Sequence, residues 1–64
     1  MCEFNVYVEK NGSKDKIAKN VIKAKRKDGT VTLMESSGKL IRVEKASILT
    51  VDTLTQELIL KKEL

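Results

Sequence analysis

The chain has 64 residues, 41% of them hydrophobic, with no proline, no histidine, one cysteine and a formal net charge of +4. A domain of this size buries only about 60% of the surface its unfolded chain exposes, so its core is thin and a metal, a partner copy or very good packing has to supplement it. The single cysteine excludes a disulfide within the chain, no apolar run approaches the ~20 residues of a membrane span, and the start MCEFNVYVEK lacks the basic and then apolar pattern of a signal peptide.

Turn signals divide the chain evenly. Residues 2–8 alternate, with Cys2, Phe4, Val6 and Val8 on one face and Glu3, Asn5, Tyr7 and Glu9 on the other, which is the period of a half-buried strand. Asn11-Gly12 follows, a pair that supplies the positive φ angles of a tight hairpin. Residues 17–27 carry Val21, Ile22 and Ala24 among lysines and end at a second such pair, Asp28-Gly29. Residues 30–34 set Val31 and Leu33 on one face; after Ser36-Ser37-Gly38, residues 40–44 turn Ile41 and Val43 inward. Residues 48–54, ILTVDTL, are rich in β-branched side chains, and Thr55-Gln56 is a weaker turn before residues 58–61. Two segments also read as helices. Ile17, Val21 and Ala24 lie at spacings of four and three, and TQELILKKEL is built of good helix formers. Hairpin spacing favours strands for both. The expected fold is all-β: one domain over residues 1–64, a small antiparallel SH3-like or Sm-like barrel of five or six strands, whose closure removes exposed edges.

The residue inventory argues against an enzyme. Without histidine there is no ordinary acid–base group near neutral pH and no Ser-His or Cys-His nucleophile. The three glycines stand singly in turns, so no glycine-rich loop cradles phosphate, and the carboxylates are scattered among bases. The protein works by binding. Residues 10–27 hold eight bases against one acid, Asp15, a stripe suited to nucleic acid or an acidic protein and equally to a solvated strand with lysine-protected edges. An Sm-like RNA-binding module would use Lys23, Lys25, Arg26 and Lys27 together on one exposed face. Tyr7 would stand nearby as the stacking platform, since Phe4, the other aromatic, falls on the core face.

Cys2 admits two readings. As the first apolar-face residue of a strand it packs as a small hydrophobe. As a residue beside the chain terminus it joins a metal-binding set. With Met1 retained, the Met1 amine, the Cys2 amide and the Cys2 thiolate form two fused five-membered chelate rings. With Met1 removed, the Cys2 amine and thiolate form one ring and the Glu3 amide nitrogen adds a second. Such nitrogen–sulfur donors in a tetragonal arrangement suit Ni(II) or Cu(II). One chain with one cysteine cannot saturate the ion, so a strong site draws on two chains, and a two-fold homodimer pairing two Cys2 residues supplies both the donors and the missing core. A lone thiol of this kind fits a reducing cytoplasm.

The opening Met1-Cys2-Glu3, the strand Phe4-Asn5-Val6-Tyr7-Val8-Glu9-Lys10, Asn20-Val21-Ile22, Val31-Thr32-Leu33, Ile41-Arg42-Val43-Glu44 and Leu58-Ile59-Leu60 together resemble the CooT family over essentially the whole chain. The resemblance implies a small homodimeric barrel that binds one Ni(II) through Cys2, helped by the backbone nitrogen of Met1 or Glu3, and delivers it to a nickel enzyme, carbon monoxide dehydrogenase. Members of that family have also been labelled RNA-binding on grounds of fold. Cytoplasmic nickel delivery is therefore the leading expectation. RNA binding through the basic stripe, or docking of an acidic protein on it, are the alternatives.

Overall fold

The computed structural model describes residues 3–63. Among them there is no helix long and apolar enough to cross a membrane. Six strands form one mixed sheet: β1 (Phe4–Lys10), β2 (Ser13–Lys27), β3 (Thr30–Glu35), β4 (Leu40–Glu44), β5 (Ala46–Asp52) and β6 (Glu57–Lys62), in the order β4-β3-β2-β1-β6-β5.

The two hairpin signals act as the sequence predicts. Asn11 and Gly12 have φ of 53° and 79°, and Asp28 and Gly29 have 53° and 78°, the left-handed pairs of tight two-residue turns. The first turn starts β2 at Ser13, four residues before the expected Ile17, because a two-residue hairpin carries pairing straight on from Lys10↔Ser13. Both segments with helical spacing are strands. Hydrogen bonding to neighbours on the sheet outweighs their modest helix propensity.

The fifteen-residue β2 serves two partners. Its first half pairs with β1, its second with β3, and the ladder shifts register between them. Asn20, at φ 55°, lies in this bend, and its carbonyl accepts the Ser36 amide at 2.8 Å. Bulges of this kind bend and twist a strand, which curls the sheet over its own inner face.

The expected closed antiparallel barrel needs two corrections. First, β1 and β6 pair in parallel, from Asn5↔Glu57 to Glu9↔Lys61. The cause is the corner between β4 and β5. A single residue, Lys45 at φ 54°, joins them, too little chain for a hairpin reversal, so β5 sets off across the inner side and its return strand runs the same way as β1. Second, the sheet does not close, because its edge strands β4 and β5 form no ladder with each other. The Ala46 amide donates to the Gly29 carbonyl at 3.0 Å, and Arg26 Nε donates to the Ala46 carbonyl at 3.0 Å, tying the start of β5 to the β2–β3 turn without a strand pairing.

The core lies inside the curl. Val6, Val31, Leu33, Ala46 and Leu60 are fully buried, joined by Ala18, Val21 and Leu58, with Phe4, Val8, Ile41 and Val43 packed around them. The alternation read along β1, β3 and β4 places these inward faces correctly.

Candidate functional site

Three regions bear on function: the end of the sheet where β1 begins, the outer face of β1, and the outer face of β2–β4. Met1 and Cys2 lie outside the described residues. Glu3, the third expected contributor to a metal site, is half-buried immediately before β1. No group of three His, Cys, Asp or Glu side chains suited to a metal ion occurs among the described residues.

Where the chain enters the sheet, the open seam of the curl leaves an apolar groove of about 190 Å³, lined by Phe4, Val21, Ile22, Lys23, Ala24, Ile48, Val51 and Leu58. Ile48 and Val51 pair with Leu60 and Leu58, so they face inward, yet they remain 38% and 58% exposed because no strand stands opposite them. Ile22 is 45% exposed on the other bank. These side chains make the groove the candidate contact surface of the described residues. The sequence carries a trace of it: β5 has Ile48, Leu49 and Val51 on both parities, which strict in–out alternation does not produce.

The tip next to this groove is held by Asp52. Its Oδ1 accepts the Leu54 amide at 2.9 Å and the Thr55 amide at 3.1 Å. The bond from the Thr55 backbone, outweighing partial desolvation, lowers the carboxyl below its ordinary value, and the Leu54 amide adds to the shift. Gln56, at φ 59°, completes the turn expected at Thr55-Gln56.

The constellation expected for RNA is divided. Lys23, Lys25 and Lys27 oppose Met34, Thr32 and Thr30, on the outer face. Arg26 opposes the buried Val31 and so turns to the inner side, where it bonds Ala46 and approaches Glu63 Oε1 at 3.8 Å. Neighbouring residues of a strand point to opposite faces, and Arg26 serves as a structural strut. Tyr7 opposes Lys16, which precedes Lys23 by seven residues of strand, about 20 Å. Its ring instead lies under Lys14 Nζ, 4.8 Å from the centroid, and Lys14 also pairs with Glu57 at 3.8 Å. Such a contact holds an exposed pair together by about 0.5–1 kcal/mol. The outer face gains one cation that the stripe did not include: Arg42 of β4 opposes Thr32 and so shares the face with Lys25.

The family model described as "CO dehydrogenase accessory protein CooT" matches residues 1–61, nearly the whole chain. The chain belongs to the CooT family. By that description it is an accessory to an enzyme. A crystal structure assigned to CooT from Carboxydothermus hydrogenoformans has the same fold, with a TM-score of 0.88 over 98% of this chain and 100% of that one, at 17% sequence identity. No curated protein sequence matches the chain.

Proposed function

We propose that this CooT protein carries Ni(II) for CO dehydrogenase, with one ion held between the Cys2 thiolates of two copies. The observation that carries the reading is the groove beside the start of β1. Cys2 precedes Phe4, a groove-lining residue, by two residues, at most about 7 Å of chain. Two copies that bury their grooves against each other about a two-fold axis bring their chain starts together, and the same contact covers Ile22, Ile48 and Val51. Thiolate and backbone nitrogen are donors that Ni(II) accepts in a tetragonal site, and the Met1 or Glu3 nitrogen completes the set. A site made from chain starts at an interface is shallow, which suits a cargo that has to leave. A free thiol of this kind is kept reduced in the cytoplasm.

Nickel titration of the reduced protein, read by absorption and by sedimentation, tests this. Thiolate charge-transfer bands saturating at one nickel per two chains on a dimer are expected. Cys2→Ser should remain folded and lose the bands. Nickel bound equally tightly by Cys2→Ser ends the reading.

A further inference from the structure

Apart from Lys23, which also borders the groove, the outer face of β2–β4 takes no part in that site, yet its side chains are arranged in a way that names a partner class. Three cross-strand rows lie along it: Lys23–Met34–Leu40, Lys25–Thr32–Arg42 and Lys27–Thr30–Glu44. In the middle row two cations flank a hydroxyl. Adjacent strands are about 4.8 Å apart, so Lys25 and Arg42 start about 10 Å apart across Thr32, and both side chains are long enough to converge on one anion above it. A shallow groove of about 380 Å³ runs over Lys25, Lys27, Thr30, Thr32 and Arg42, with Asp28 at its end.

The cations of this face, like most in the molecule, make no ion pair among the described residues. Lys14 pairs with Glu57 and Arg26 with Glu63, whereas among the described residues Lys23, Lys25, Lys27 and Arg42 have no ion-pair partner. Edge protection accounts for lysines on the second half of β2, which has no neighbour on its β1 side. The same account covers Arg42 on the edge strand β4, but edge protection does not require Lys25 and Arg42 to share one cross-strand row with Thr32 between them.

The kind of anion follows from what borders the cations. Sequence-tolerant nucleic-acid grooves combine charge with aromatic platforms, and both aromatics of this chain, Phe4 and Tyr7, lie elsewhere. The first row is apolar on β3 and β4 instead, with Leu40 60% exposed beside Met34. An apolar anchor next to unpaired cations is the composition of a protein interface, with an apolar centre and a charged rim. We infer that this face docks an acidic protein surface, carboxylates lying over Lys25, Lys27 and Arg42 and an apolar side chain resting on Met34 and Leu40. The partner's identity rests on the proposed function: it is the client enzyme, CO dehydrogenase.

The test measures binding of the full chain to CO dehydrogenase, to a decaglutamate peptide and to a twelve-nucleotide oligouridylate. The variants are Lys25→Glu/Arg42→Glu and, as an equal charge change on the other outer face, Lys14→Glu/Lys16→Glu. Circular dichroism and nickel stoichiometry serve as controls for folding and for the metal site. The expected result is that the first variant weakens binding to the enzyme and the peptide by at least about tenfold, that the second leaves both nearly unchanged, and that salt weakens the parent's binding. Equal losses in both variants, no loss in the first, no peptide binding by the parent, or tighter binding of oligouridylate than of decaglutamate would each overturn the inference. If the peptide binds as expected and CO dehydrogenase does not bind the parent, the acidic-docking face stands and the client assignment is what fails.

Discussion

The inner strands and the edge strand β5 make an instructive contrast. On β1, β3 and β6, Val6, Val31, Leu33 and Leu60 are fully buried, because strands from both sides of the curl face each other. On β5, Ile48 and Val51 face inward beside Leu60 and Leu58 and stay exposed, because the curl does not close. The residue types are nearly identical. What differs is whether an opposite wall exists. Apolar patterning therefore reports where a strand wants cover, while the sheet's topology decides whether the chain itself supplies it. In this protein the deficit sits beside Phe4 at the start of β1, and the proposed second copy removes it.

Three substitutions probe that contrast. Leu60→Ala, on the inner strand β6, should show the largest effect. It opens a cavity in a core with no spare packing and costs about 2–5 kcal/mol, a large part of the 5–15 kcal/mol typical of whole domains. Urea denaturation should show a strongly lowered midpoint. Val51→Lys, on the edge strand β5, should alter the stability of one copy by no more than about 0.5 kcal/mol. It should raise the dimer dissociation constant at least about tenfold, since a buried lysine without a partner is costly. Sedimentation equilibrium reads this, and a dimer unchanged in strength would show that a second copy does not cover the groove. Asp52→Asn, at the turn that ends β5, is the mildest. The folded carboxyl titrates below its ordinary value, so its stabilising contribution is complete above the unfolded value of roughly 3.9 and is lost as pH falls through the lower folded value. Thermal melts should find the parent slightly more stable than Asp52→Asn at neutral pH, with the gap closing in strong acid.

Much of this fold could be read from the residues. Asn11-Gly12 and Asp28-Gly29 placed two hairpins because only certain residue types accept left-handed φ at low cost. The bounds of β4 were read to the residue. The parallel β1–β6 pair was not legible, since its cause is a one-residue corner at Lys45, and a lysine there gives none of the glycine or proline punctuation that announces a change of direction. The division of the basic stripe was half-legible. Period two already separates Arg26 from Lys25 and Lys27, whereas the distance from Tyr7 to Lys23 depends on the β1–β2 register, a long-range quantity. Arg42 was missed because it lies outside the charge run and joins the face only through pairing with Thr32. Of the expected metal donors, Met1 and Cys2 lie outside the described residues, and the family match over residues 1–61 is what supports an accessory role.

The parallel pairing also sets the order in which the molecule can assemble. β1 is an inner strand flanked by β2 and β6, and β6 begins only at residue 57. During synthesis the β1–β2 hairpin can form early, but one edge of β1 stays vacant until β6, about fifty residues further along the chain, has been made. Contacts this distant in sequence close slowly. The parallel ladder is therefore a late event in folding, and until it forms the free edge of β1 is the part of the sheet most in need of protection.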